Sequence, residues 1–241
     1  MLARPTIMAG AVETLFNRGD IMNLMETIVI DTTATALTYT GLHVASGILQ
    51  RSGTDVVSDT LPSAAALILA VQGQMNQLAG NQLPGAALIP LIQAFPQWAT
   101  MGLERNSTMR FIVRNLNAAN VITLVAPASA GVVLSGSGAL AAVSVVEWLV
   151  TFLSTAMPTA FIGDPVNASP NINNVAAVDL DRLELGMSLY GAASGSAAVI
   201  AAIDYANNRV VASINNTAGA TAQNTPATPT TRWTRLRSST V

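Results

Sequence analysis

Hydrophobic and polar positions alternate in short runs along much of the chain, with a period near two and turn residues between the runs. "ETIVIDTTATALTYTG" (26–41) sets β-branched residues in partial alternation, the pattern of a strand with one buried face. "SGILQRSG" (46–53) predicts another strand. "MRFIVRNL" (109–116), "NVITLVA" (120–126), "GVVLSGSG" (131–138) and "AVSVVEWLVTFLST" (142–155) read as a meander of strands split by turn residues. In the first of these four, Phe111 and Val113 share one face, with Arg110, Ile112 and Arg114 on the other. That second face is expected to be partly solvated or paired with a neighbour. In the last, Val146, Trp148, Val150 and Phe152 share one face and Val143, Val145, Glu147, Leu149, Thr151 and Leu153 the other. A strand apolar on both sides belongs inside a sandwich or at a subunit contact. Glu147 is the exception, and its burial cost predicts a partner such as Arg110, Arg114 or a neighbouring subunit.

The remaining segments have other patterns. In "SDTLPSAAALI" (58–68), Pro62 suits a first helical turn, where its missing N–H costs nothing, and the alanines and leucines after it favour helix. A short helix is expected from near Pro62, with Thr60 and Ser63 as candidate caps and Asp59 near the positive end of its dipole. Residues 73–107, rich in Gly, Pro and Gln, read as an inserted excursion, and 1–25 as an N-terminal arm that orders only against something else. Residues 156–177 turn to Pro, Asn and Ala, as in a linker. "VDLDRLELGMSLYG" and "AAVIAAIDYANNRVVASIN" within 178–215 predict additional strands of the same or a second small β unit, with a hairpin turn at Asn207-Asn208. Residues 216–241, rich in Thr, Ala and Pro, predict an extended C-terminal arm, whose removal from residue 226 on should leave melting nearly unchanged while weakening assembly. The expected fold is all-β: a β-sandwich, jelly-roll-like, with its core at 26–155, one short helix and extended terminal arms.

Composition changes this picture at the surface. Charged residues make up 10% of the 241 positions and hydrophobic residues 51%, against a globular norm of about 25% charged. The surface must therefore be built of Thr, Ser, Asn, Gln and Ala, a weakly hydrated exterior that predicts an assembly subunit. A net charge of −2 gives no reason to expect nucleic acid across the whole surface. With no cysteine, disulfides and thiolate zinc sites are excluded. The N-terminus lacks the continuous apolar run of a secretory signal. Two charge-free stretches, 60–103 and 115–146, are broken by Gly, Asn and Pro and offer no clean run of about 20 apolar residues. "GAALIPLIQAFPQWATMG" (85–102), with Phe95 and Trp98, is the best candidate for an apolar contact, and docking on protein is favoured there over lipid.

Candidate chemistry is sparse. His43 is the single histidine and has no acid nearby, and neither a Gly-x-Ser-x-Gly elbow nor a phosphate-binding glycine loop occurs. No catalytic residue, cofactor or metal is expected. Asp179, Asp181 and Glu184 could form a carboxylate cluster, but Arg182 between them favours a solvated strand face over calcium. The "RGD" at 18–20 and the Asn-x-Ser/Thr triplets at Asn106, Asn167 and Asn215 are short enough to arise by chance. The tail "RWTRLR" differs in kind: Arg232, Arg235 and Arg237 flank Trp233, leaving eight arginines against 13 acids elsewhere. This basic hook suits an acidic or aromatic pocket of another subunit, which is favoured over nucleic acid because three arginines give only weak phosphate affinity.

"GILQRSGTDVVSDTLPSAAALI" (47–68), "MRFIVRN" (109–115), "VITLVAPASAGVVLSGSGAL" (121–140) and the strand at 142–155 together resemble a module of virion structural proteins of large double-stranded DNA viruses and tailed phages. That module has a strand ending in Arg-Ser/Asn-Gly-Thr, an Asp-Thr-Leu-Pro helix, a Phe-x-Ile/Val-x-Asn strand, a Thr-Leu strand and a Gly-Val-x-Leu-x-Gly hairpin. The resemblance implies a β-sandwich capsid or minor capsid subunit in the virion, with copies of itself and other capsid proteins as partners. It names no chemistry. The alternative is a host-attachment fibre or carbohydrate-binding module. A sugar site wants exposed aromatics in a concave face, however, and only Trp98, Trp148, Trp233 and three tyrosines are available.

Overall fold

The computed structural model describes residues 27–53, 55–81, 103–191 and 198–240. Within them, β1 (Thr27–Asp31), β2 (Gly47–Arg51) and β4 (Thr108–Asn115) pair in parallel in one sheet. β3 (Val57–Thr60) and β5 (Ile122–Val125) pair in parallel in a second, and a parallel bridge from Thr38 to Thr60 adds the segment after β1 to it. The chain thus crosses repeatedly between two sheets and winds about three turns of a coil. β8 (Ser144–Phe152) then pairs antiparallel with β4, β15 (Thr231–Thr240) antiparallel with β8, and β6 (Val132–Ser135) in parallel with β15. The large sheet has the order β1-β2-β4-β8-β15-β6, and β7 (Ala139–Leu140) completes the small sheet, β3-β5-β7. The fold is an all-β sandwich. Its parallel pairs set it apart from a jelly roll, whose neighbours run antiparallel.

The core lies between these sheets. Phe111, Val113, Val146, Trp148, Val150, Phe152 and Trp233 of the large sheet meet Leu61, Ile122, Leu124 and Leu140, and the alternation expected for β4 and β8 is the one observed. Two helices close one side. α1 (Gly41–Ala45) opens on a capping box in which His43 N–H bonds Thr40 Oγ1 and His43 Nδ1 accepts from Thr40 N–H, so the single histidine is a helix cap. A side chain at Gly41 would stand 2.3 Å from the Ala66 carbonyl oxygen, so only glycine permits this approach to α2 (Ala64–Asn81).

α2 starts where the sequence predicts, capped by Ser63, whose Oγ accepts from Ala66 N–H at 3.2 Å; Thr60 belongs to β3 instead. It is not short. Ala64, Leu67, Ile68 and Val71 form a helical stripe into the core, and the helix runs 18 residues through Gly73 to Asn81. One interior glycine costs about 1 kcal/mol, which the helix formers around it offset. The expected excursion at 73–107 is therefore helix over its first nine positions and a turn leading into β4 over 103–107. Phe95 and Trp98, the N-terminal arm and "RGD" lie outside the described residues.

The stretch read as a linker is structured. β9 (Thr159–Pro165) and β10 (Asn171–Asn173) join β11 (Ser188–Leu189), β12 (Ile200–Asp204), β13 (Arg209–Ala212) and β14 (Gln223–Thr228) in a second six-stranded sheet, β11-β14-β9-β10-β13-β12. The Pro and Asn content hid an alternation that buries Phe161, Gly163 and Pro165. This unit has its own core of Phe161, Ile172, Leu180, Met187 and Val210. The run at 178–191 opens as a helical turn, α3 (Ala177–Leu180), rather than a strand. Asn208 takes the left-handed conformation at the β12–β13 turn (φ 50°, ψ 53°), as asparagine there allows.

The expected C-terminal arm is corrected most: 223–228 is β14 of the second unit and 231–240 is β15, an interior strand of the first. Between them Pro229 and Thr230 cross from one unit to the other. Gly131, with φ +69°, could carry no side chain because its Cβ would lie 1.8 Å from the Pro229 carbonyl oxygen. Ser188 Oγ and Thr230 Oγ1 are 2.7 Å apart, and the Gly131 N–H donates to Tyr190 Oη at 2.9 Å, binding the units together.

The resemblance motifs meet at one end of the large sheet. Asp31, Arg51, Asn115 and Ser144 stand in one row across β1, β2, β4 and β8. Arg51 is fully buried and spends all five of its N–H groups. Nε and Nη2 grip both oxygens of Asp59 at 2.8 and 3.0 Å, Nη1 donates to Asp31 at 2.7 Å and to the Thr33 carbonyl, and Nη2 also donates to the Thr35 carbonyl. Asp59, on the facing sheet, also accepts from Tyr39 Oη–H and Leu37 N–H, which fills its four acceptor positions. Asn115 donates to the Asn120, Leu140 and Ala141 carbonyls. Asp59 is thus not a dipole partner of α2 but the counter-ion that ties two sheets together.

Electrostatics follow from this packing. Burial pushes the Asp31 carboxyl up, but hydrogen bonds from Thr33 and the guanidinium of Arg51 outweigh it and hold the group below its ordinary value. Burial, reinforced by the Asp59 carboxylate, drives the Tyr39 phenol far above its ordinary range. A depressed native pKa stabilises the fold above the unfolded carboxylate value and loses that contribution as pH falls through the native value. Asp31→Asn is therefore expected to be less stable than the wild type at pH 7. Its stability should also fall less steeply below about pH 4, by up to about 1.4 kcal/mol per pH unit for one proton. Denaturant melts at stepped pH measure the two slopes, and parallel curves would remove Asp31 from this role.

Candidate assembly interface

The outward face of the large sheet is made by the other half of each alternation. One row across it runs Ile28, Ile48, Ile112, Glu147 and Arg237 on five successive strands. Beside it lie Arg114 next to Val145, Arg110 next to Leu149, and Arg232 next to Val133. None of these side chains belongs to either core cluster among the described residues. Ile28 and Ile30 of the edge strand are 52% and 63% exposed. The face is aliphatic on β1 and sets branched aliphatics among guanidiniums from β4 to β15.

Glu147 sits at its centre, 4% exposed. Arg110 reaches it at 3.3 Å, as the sequence predicts, and Arg237 closes on its other oxygen. Both arginines are themselves largely exposed, so two solvated guanidiniums roof a buried carboxylate and meet the burial cost that its position imposes. The register shift between Arg235 and Arg237 in β15 brings Arg237 opposite Glu147. Among the described residues, neither Arg114 nor Arg232 has a carboxylate partner.

The four residues of the basic hook separate accordingly. Arg232 and Arg237 lie on the outward face. Trp233 does not: it is fully buried, edge-on to Phe111 with ring centroids 5.8 Å apart, and Nε1 donates to Thr231 Oγ1 at 3.2 Å. Arg235 clamps the loop between β6 and β7 by donating to the Ser137 and Ala139 carbonyls at 3.0 and 2.8 Å. The hook is corrected to a strand, because Thr231 and Trp233 alternate with Arg232 and fill a vacancy between β8 and β6. That alternation of Thr and Trp was the available signal.

The chain matches no family model, no curated protein and no solved structure.

Two of the three candidate carboxylates are engaged locally, and the third, Asp181, is exposed. Asp179 pairs with Arg182 at 3.2 Å, and Glu184 Oε2 accepts from the N–H groups of Thr155 and Ala156 at 2.6 and 2.7 Å. Glu184 thus braces the junction between the units, while Asp179 pairs within its own turn. Among the described residues no group of three or more His, Asp or Glu could hold a metal ion, and no helix is long and apolar enough to cross a membrane. Asn106 and Ala168, in two of the three triplets, have positive φ in turns.

Proposed function

We propose that the chain is a virion structural protein, a capsid or minor capsid subunit that works by contact with copies of itself and with other capsid proteins. The observation that carries this reading is the outward sheet face, a broad surface that is aliphatic at Ile28, Ile30 and Ile48 and sets Ile112 and Leu149 among the arginines of β4 and β15. A monomer gains nothing from presenting such a surface, whereas an assembly repeats it at every contact. The motif resemblance over 47–155 supports the same reading, since its residues build a scaffold: Arg51 with Asp59, Asn115 with three carbonyls, Gly131 against Pro229. No catalytic role is proposed. The alternative, a carbohydrate-binding attachment module, lacks an aromatic platform among the described residues: Trp148 and Trp233 are buried, and Tyr205 is the one aromatic with a large exposed surface.

The test sets purified chain against isolated shells lacking it and against immobilised glycans. Co-sedimentation with shells and no glycan retention is the expected result. Retention on glycans by a stable monomer that ignores shells would reverse the order of the two readings.

A further inference from the structure

We propose that the outward face of the large sheet docks head to tail onto the second unit of a neighbouring copy. This rests on the assembly reading above and adds the occupant and the mode of contact. The first unit, residues 27–155 with 229–240, carries seven arginines against five acids, while the second, 156–228, carries two arginines against five acids. Charge is therefore segregated within a chain whose net charge is only −2. On the outward face the imbalance is sharper among the described residues, where Arg110, Arg114, Arg232 and Arg237 share the single carboxylate of Glu147. Glu147 is already taken by Arg110 and Arg237, and among the described residues no carboxylate pairs with Arg114 or Arg232, so both are placed to meet carboxylates of a neighbouring copy.

The second unit supplies them. Asp181 is exposed at the end of α3, beside Val178, which is 60% exposed, so acid and aliphatic surface lie together there as guanidinium and aliphatic surface do on the sheet. Asp164 is held ionised by the Ala222 N–H and the Asn174 amide rather than by a cation. Basic face on acidic unit gains Coulomb energy at each contact, whereas a twofold contact of face on face would set arginines against arginines. A contact between different surfaces leaves one of each free and so propagates into rings or larger shells. Nucleic acid fits less well, because branched aliphatics separate the arginines and no aromatic side chain of the described strands lies on this face for bases to stack on.

The experiment measures self-association by mass photometry and light scattering for the wild type, R114E/R232E and the neutral R114Q/R232Q. Neither residue has a partner among the described carboxylates, and melting curves matched to the wild type establish that each variant is folded. Wild-type association is expected to weaken about tenfold or more between low and high salt, as screening of facing charges requires. R114E/R232E should be monomeric alone, with R114Q/R232Q intermediate. Mixed with wild type, R114E/R232E should still bind, because its second unit is intact, and should cap wild-type oligomers and shorten them. The docking mode is overturned if R114E/R232E associates as tightly as wild type, if it fails to bind wild type, or if wild type prefers duplex DNA to itself. Wild-type association that ignores both salt and charge reversal overturns the docking mode and leaves the assembly reading standing; absence of any wild-type association overturns both.

Discussion

Asp59→Ala is expected to lower the melting temperature by on the order of 10 °C. The substitution removes two of the five hydrogen bonds of the fully buried Arg51 guanidinium and leaves Leu37 N–H and Tyr39 Oη–H without their acceptor. Breaking a buried pair from one side costs about 3–5 kcal/mol, and in a chain of this size each kcal/mol moves the midpoint by about 2–4 °C. The pair spans two facing sheets, and the carboxylate that remains, Asp31, is held by Nη1 alone, so Nε and one N–H of Nη2 lose their acceptors. Arg51→Met with Asp59→Leu should recover part of the loss, because it removes the half-paired buried guanidinium, while Asp31, Tyr39 Oη–H and Leu37 N–H still lose their partners. Calorimetry on the two single variants and the double variant gives the coupling. A cost below about 1 kcal/mol for Asp59→Ala would place the pair among exposed ion pairs of little consequence.

Removing residues 229–241 should abolish cooperative folding. β15 pairs with β8 along nearly its whole length on one side and with β6 on the other, so its loss exposes two strand edges and unroofs Glu147. It also removes Trp233 from contact with Phe111 at the centre of the first core. The milder Trp233→Ala is expected to cost about 3–5 kcal/mol from the cavity alone. Near-ultraviolet circular dichroism and thermal melts distinguish the outcomes. A truncated chain that melted like the full one would restore the reading of this segment as a detachable arm.

The sequence disclosed those parts of the fold in which large apolar side chains mark the period. Phe111 and Val113 in β4 and Val146, Trp148, Val150 and Phe152 in β8 announce both strand and buried face, and the isolated Glu147 among them announces a paired carboxylate. β15 escaped because the residues flanking Trp233 are Thr, Ser and Arg, which composition assigns to an arm while their alternation assigns them to a strand. β9 and β10 escaped for a related reason, since the inward positions of β9 are taken by Gly163 and Pro165 as well as Phe161. Arg51 and Asp59 carry no local mark at all. Eight positions along the chain and a sheet crossing separate them, and only the coil that stacks β2 against β3 makes one the counter-ion of the other. The outward face was legible strand by strand in Arg110, Ile112 and Arg114. Its extent was not, because it needs the registers that place Ile28, Ile48, Ile112 and Glu147 in one row.

A surface of this breadth has a direct consequence in solution, and sedimentation velocity over a wide range of protein concentration at low ionic strength measures it. The sedimentation coefficient is expected to climb with concentration from that of a single 24.9 kDa chain into larger species. One slow, sharp boundary at every concentration, from a chain that stays soluble and folded, would contradict the account.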